Sequence, residues 1–282
     1  MTDTKRELEI SQEEFQLLND FIVELFGMNF ANGRQEILIS RLKRRIENLG
    51  LNSFMDYYLM LQFNPDGERA HLAKAITNNE TYFFRETGQF EVLFGEALDL
   101  VKSQPAVSGQ LRVLCAGCSS GEEAYTLNIF AKENFFRTIG MEVVIDAFDI
   151  EISQIEKAKT GIYGKSSMRC LEKSQIEKYF LELGEEKWRI KSMFKNGINF
   201  FQGNIMKAET FKKAMQYDAV FCRNVLIYFS EFSFYKAVNN FAECLREDGF
   251  LFLGHSESLY GLDTAFHAVK YGNSIVYRKG RK

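Results

Sequence analysis

The chain has 282 residues, enough for one large or two modest domains with a full core. Its net charge of −3 shows no basic excess, which argues against nucleic acid as the main partner. No apolar run is long enough to span a bilayer, and the polar start has no signal-peptide pattern. Five cysteines do not make a disulfide framework, so the expected setting is a reducing cytoplasm, with no membrane insertion.

Residues 1–10 are polar and read as a frayed end. Ser11 caps a helix bearing Phe15, Leu18, Ile22, Leu25 and Phe26; Glu14 completes a capping box and Gly27 is the stop. A second helix runs from Gln35 to Leu49, ends at Gly50, and shows the apolar stripe Leu38, Leu42, Ile46 and Leu49. Arg41, Arg44 and Arg45 cluster on it by i, i+3 and i+4 spacing. They read either as a docking face for an acidic partner or as a solvated face with ion pairs inside the domain. Ser53 caps a third helix with Phe54, Tyr57, Tyr58 and Leu61. Residues 64–68 read as a turn and Glu68 to Ile76 as a fourth helix, so residues 1–76 form a small all-helical N-terminal domain. Residues 77–88 join it to the rest. Two phenylalanines, a tyrosine and an arginine make this connector unlike a linker; it reads as an interface plug or as a lid over a cofactor.

Residues 88–102 are an amphipathic helix and Pro105 to Gly109 a loop. Leu111 to Cys115 is a buried strand, Gly117 and Gly121 punctuate a tight turn, and a helix runs on to Phe136. Strand, glycine-rich turn and helix open a nucleotide-binding α/β sheet. No Gly-Lys-Ser/Thr follows, and the helix starts with Glu122 and Glu123. Acids there repel a phosphate dianion and attract a cation such as S-adenosylmethionine, with its amino group and sulfonium; the bland alternative is that they complement the helix dipole. Glu142 to Asp149 is a second strand ending in an acid, placed where ribose hydroxyls are bound; Asp149 is the candidate and Glu151 its neighbouring competitor.

A helix covers Ser153 to Ala158, and Leu171 to Leu181 reads as another. Lys187 to Lys191 and Ile198 to Gln202 alternate like strands around the turn Lys195-Asn-Gly197, which predicts a small antiparallel insert over about 179–203. Asp218 to Cys222 is a fourth parallel strand leading into Arg223 to Phe229, beside the topological switch point. Phe232 to Leu245 is a helix, Asp248-Gly249 turns into the strand Phe250 to Gly254, and His267 to Arg278 closes as a hairpin. The pair Cys115 and Cys118 reads as small side chains in a tight loop; without a second ligand pair, no metal site is expected.

Five segments in order carry a resemblance. Thr77 to Glu86, Ala116 to Glu123, Phe148 to Ile150, Phe221 to Phe229 and Gly254 to Ser258 resemble the chemotaxis-receptor glutamate methyltransferases, the CheR family. Ala124 departs from the proline often found there. The resemblance implies a class I S-adenosylmethionine-dependent, Rossmann-like α/β domain over 89–282, behind the helical N-terminal domain. It implies methyl transfer to glutamates of chemoreceptor cytoplasmic helices in chemotactic adaptation, with S-adenosylhomocysteine as product. By motif position it implies that Asn79, Thr81, Arg85, Glu123, Asp149, Asn204, Ile205, Asn224 and Val225 contact the cofactor, and that the insert can hold a receptor pentapeptide tether.

A glutamate side chain, with a pKa of about 4.3, is already an anion at neutral pH, so no general base is required. Arg85 is the candidate to steer that carboxylate, the alternative being a clamp on the cofactor's own carboxylate, and Tyr228 is the second catalytic candidate. Glutamate-rich receptor helices make Arg41, Arg44 and Arg45 docking candidates. Competing readings are a same-family methyltransferase in another signalling pathway, a non-catalytic cofactor-binding module, and a nicotinamide dehydrogenase, which the Glu122-Glu123 pair disfavours.

Overall fold

The computed structural model describes residues 8–31, 33–63, 65–103, 109–212 and 216–281, with the side chains of residues 65, 66 and 212 left aside. Residues 1–7 of the expected frayed end 1–10, position 64 of the expected turn, and most of the expected loop after residue 103 lie outside the described residues. The chain divides into two compact units: Met1–Asn78 with Tyr228–Phe234, and Asn79–Ile227 with Tyr235–Lys282.

The first unit is helical. Helix α1 (Gln12–Phe26) carries the reciprocal Ser11–Glu14 capping box and stops at Gly27, whose φ of 79° only glycine adopts without strain. Helix α2 (Gln35–Asn48) buries Leu38, Leu42 and Ile46. Helix α3 (Phe54–Phe63) is capped as expected, the Asp56 amide donating to Ser53 Oγ at 3.0 Å. Helix α4 (Pro65–Ile76) starts three residues before the expected Glu68, because a proline's fixed φ suits the first helical turn. The later segment Tyr228–Phe234 joins this unit through a β-bridge between Met28 and Phe229 and through the Asn29 amide donating to Tyr228 O at 2.8 Å.

The second unit is built on a seven-stranded sheet. Its strands are β1 (Gln110–Ala116), β2 (Glu142–Asp149), β6 (Ile198–Gln202), β7 (Tyr217–Cys222), β8 (Leu245–Leu253), β9 (Phe266–Tyr271) and β10 (Ser274–Lys279), in the order β6-β2-β1-β7-β8-β10-β9. The first five run parallel; β10 pairs antiparallel with both β8 and β9. Every residue of β7 is buried, as a parallel strand covered on both faces requires. The order reverses at β1 and β7, which is the doubly wound switch point of the class I methyltransferase architecture that the resemblance implies.

Helix α5 (Gly88–Val92) and helix α6 (Leu98–Lys102) flank a π turn over Leu93–Ala97, so the expected single helix 88–102 carries a break at Gly95 (φ −101°, ψ −115°). Helix α7 (Glu122–Glu133) ends before the expected Phe136, and α8 (Ile152–Thr160) follows β2. Helices α10 (Glu209–Lys212) and α11 (Glu231–Cys244) complete the set with α9 (Lys173–Tyr179).

The small sheet differs from the expected insert. It is β3 (Ile162–Gly164), β5 (Lys187–Ile190) and β4 (Phe180–Gly184), all antiparallel. The helix expected to reach Leu181 ends at Tyr179, and Phe180 starts β4, buried with Phe83 and Tyr163. Strand β6, expected in the insert, instead forms the edge of the main sheet, Ala147 of β2 opposing Phe200. A second aromatic core, with Phe83, Tyr125, Tyr163, Tyr179, Phe180 and Phe194, lies between α7 and the small sheet. No helix among the described residues is long and apolar enough to cross a membrane.

Candidate functional site

Parallel strands deliver the loops after their carboxyl ends to one edge of the sheet, and the expected site residues of the second unit sit mainly in those loops. After β1, the amides of Gly117 and Cys118 both donate to Phe148 O at 2.9 Å, which draws the glycine turn over the end of β2. A Cβ on Gly117 (φ 78°) would lie 2.6 Å from Val225 Cγ2, so the missing side chain is what lets the loop after β7 approach.

Asp149, buried at the end of β2, accepts from the Ser119 amide through Oδ2 at 2.8 Å and from the Glu151 amide through Oδ1 at 2.9 Å. An ionised carboxylate offers about four lone-pair sites, so acceptor capacity remains for ribose hydroxyls. Burial pushes the Asp149 carboxyl up, while those two backbone bonds hold it down. Its competitor Glu151 is engaged: it accepts from Asn79 Nδ2 at 2.6 Å and from Ser153 Oγ.

The connector is tied to these loops at several points. Ser119 Oγ donates to Asn79 O at 3.4 Å, the Phe83 amide to Ser167 O at 3.0 Å, and the Phe84 amide to Thr126 Oγ1 at 3.2 Å. Phe83 is fully buried between Tyr163 and Phe180, edge-on to each with centroids 4.8 Å apart. Thr81 is partly buried. Arg85 keeps 29% of its side chain exposed, with Nη1 donating to Glu80 O at 3.4 Å and its guanidinium 5.5 Å from the Tyr82 ring. Of the seven non-glycine residues described at positive φ, Phe84, Glu86, Ser119 and Asn224 belong to these segments, a concentration of backbone strain expected at a functional site.

Sequence reasoning missed Arg223 and Glu257. Buried Arg223 donates through Nη2 to Arg85 O at 2.6 Å and to Glu86 Oε2 at 3.2 Å, and its Nη1 lies 3.5 Å from Glu123 Oε2. It thereby links the connector to the start of α7. Burial pushes the Glu123 carboxyl up, opposed first by Arg223 and then by Arg85. Its neighbour Glu122 is structural, accepting from Ser120 Oγ and Ser167 Oγ at 2.8 Å each. Glu257 accepts the amides of the loop after β7, Asn224 and Val225 at 2.9 Å each among them. The signal for both was present only as membership of quoted segments, because their partners are non-local.

After β6, Asn204 Oδ1 accepts from the Met206 amide at 2.9 Å, and Ile205 O accepts from Asn240 Nδ2 at 2.8 Å. After β7, Asn224 (φ 60°) has a buried Oδ1 with no hydrogen-bond partner among the described residues. Such an orphaned buried acceptor, in a set of loops that also carries the carboxyls of Asp149 and Glu123, suits a ligand that donates hydrogen bonds and does not fit a pyrophosphate.

In the first unit, Arg45 makes a two-pronged ion pair with buried Glu68 (2.7 and 2.6 Å), which Tyr57 Oη also donates to at 2.9 Å. Arg41 Nη1 donates to the carbonyls of Ile76 and Thr77. Arg44 is exposed. Tyr228 Oη accepts from Asn78 Nδ2 at 3.0 Å, with the Arg34 guanidinium 5.2 Å from its ring. All five cysteines are free, and burial pushes the thiols of Cys115 and Cys118 well up, which keeps them protonated.

Two family models match the chain: one described as the CheR methyltransferase all-alpha domain, over residues 13–77, and one as the CheR methyltransferase SAM binding domain, over residues 79–275. Chemotaxis protein methyltransferase 2 of Vibrio cholerae is 35% identical over 279 residues, 98% of this chain and 96% of the relative. The chemotaxis protein methyltransferase of Borreliella burgdorferi is 32% identical, over 90% of this chain and 91% of its own length. That of Escherichia coli is 31% identical, over 92% and 89% respectively.

Proposed function

The chain belongs to the CheR methyltransferase family, with S-adenosylmethionine as its cofactor, and from that premise we propose that it esterifies glutamate side chains on the cytoplasmic helices of chemoreceptors. The observation that carries the reading is the acceptor set at the carboxyl ends of the strands, Asp149, Glu123 and Asn224 Oδ1, with no phosphate cradle among them. When bound, the cofactor supplies an electrophilic methyl on a sulfonium.

The protein's part is positioning and exclusion of water. Asp149 accepts hydroxyls, and Glu123 holds the cationic amino end while Arg223 keeps it in place. Asn79 and Thr81 line the cofactor from the connector, Asn204 and Ile205 from the loop after β6, and Asn224 and Val225 from the loop after β7. The acceptor glutamate arrives ionised, its pKa being about 4.3, so no base removes a proton, and the step is limited by aiming one carboxylate oxygen. Arg85, partly exposed and anchored through its own carbonyl by Arg223, steers that carboxylate. Tyr228, four residues after Asn224, is the second proposed catalytic residue.

For docking on the acidic receptor, Arg44 is the free candidate, since Arg41 and Arg45 hold the helical unit together. The proposed setting is the cytoplasm.

Methyl transfer to a receptor cytoplasmic fragment, alongside S-adenosylhomocysteine binding, tests these roles. Arg85→Lys should lower kcat about tenfold or more with cofactor affinity retained, since a lysine lacks the planar fork. Arg44→Glu should raise the KM for receptor and weaken its salt dependence, with kcat unchanged. Lost cofactor affinity in Arg85→Lys would instead assign Arg85 to the cofactor's carboxylate.

A further inference from the structure

Glu257 is buried, yet it belongs to neither the cofactor contacts nor the proposed catalytic pair. Its two oxygens take five backbone N–H groups. Oε1 accepts from Val225 (2.9 Å), Leu226 (2.7 Å) and Ile227 (3.3 Å), and Oε2 accepts from Asn224 (2.9 Å) and Gly254 (2.6 Å). One carboxylate thus ties the loop after β7 to the end of β8, and its own amide closes the turn by donating to Gly254 O at 2.9 Å. Bonds from backbone amides to a charged acceptor are roughly twice as strong as neutral ones, and burial strengthens them further.

What these bonds hold is a strained segment. Asn224 sits at φ 60°, a left-handed region that a non-glycine residue holds only where its surroundings over-determine it. The same residue presents the buried, unpaired Oδ1. Gly254 belongs to the device as well: a Cβ there would lie 2.9 Å from Asn224 N, Asn224 Nδ2 and Glu257 Oε2.

We propose that Glu257 is a positioning residue that pre-forms the cofactor site by locking Asn224 and Val225 through their backbone amides. The inference rests on the reading that Asn224 and Val225 contact the cofactor. Glutamine in its place keeps the shape but turns an N–H₂ donor toward N–H donors, so at least one oxygen's bonds are lost.

The test is calorimetric titration with S-adenosylhomocysteine of the wild type, Glu257→Gln, Asn224→Ala and the double variant, with a thermal melt of each. Glu257→Gln should weaken binding about tenfold or more while still melting cooperatively. In the double variant the two losses should be clearly less than additive. The KM for S-adenosylmethionine should rise more than kcat falls. Wild-type affinity in Glu257→Gln beside a weakened Asn224→Ala overturns the inference and leaves the cofactor reading standing. Fully additive losses also overturn it, because Glu257 then does not act through Asn224. Wild-type affinity in Asn224→Ala removes the cofactor reading of this loop and the inference with it. If Glu257→Gln is not recovered folded, Gly254→Ala replaces it, with the same loss expected and unchanged affinity contradicting the proposal.

Discussion

At the scale of single residues, Glu123 shows what the site costs the fold. Its carboxyl is pushed up by burial, and the guanidinium groups of Arg223 and Arg85 only partly restore it. A raised value in the folded chain means that folding favours the protonated form. The stability it lends is therefore complete below the unfolded-state value and is lost as pH rises through the folded-state value. Melts without cofactor should show Glu123→Gln gaining on the wild type as pH rises above the ordinary glutamate value of about 4.3. The same variant should bind S-adenosylhomocysteine more weakly, with the gap widest where the wild-type carboxyl is ionised. A pH-independent difference in melting would contradict this account. Asp149 and the pair Glu122-Glu123 were legible as acids at strand and helix boundaries because their positions follow from local pattern, and the family resemblance singled out Glu123. Arg223 and Glu257 were not, because a buried arginine bonded to a carbonyl 138 positions away leaves no local trace.

At the scale of elements, the close approach of the glycine turn to the loop after β7 makes a controlled experiment available. Gly117 and Gly140 share a φ of 78°, but a Cβ on Gly117 meets Val225 at 2.6 Å while one on Gly140 meets nothing within 4 Å. Alanine at either should destabilise the fold by about 1 kcal/mol or more through backbone strain. Only Gly117→Ala should also weaken S-adenosylhomocysteine binding, since Val225 must move. Equal affinities in the two variants would mean that this contact does not shape the site. Capped and punctuated elements such as α1 and the hairpin β9–β10 follow directly from their end signals. Phe180 illustrates the opposite case. Its apolar spacing continues the helix, yet burial against Phe83 makes it a strand residue. For β6, the Asn-Gly turn pointed to a local partner, while the actual partner is parallel β2, some fifty residues earlier.

At the scale of the whole molecule, alternating strands and helices with an acid after the second strand were enough to imply a doubly wound sheet. The quoted segments then implied the family, which both family models bear out. The small antiparallel sheet was anticipated, but its membership was not, because pairing of β3 with β5 depends on tertiary packing rather than on a hairpin signal. What the family does not specify is the acceptor atom. The most direct measurement is transfer of labelled methyl from S-adenosylmethionine to a purified chemoreceptor cytoplasmic fragment, followed by mild alkali. The proposed function predicts label released as methanol, the behaviour of a carboxyl methyl ester. Label that survives alkali, or none incorporated by enzyme that still binds S-adenosylhomocysteine, would contradict it.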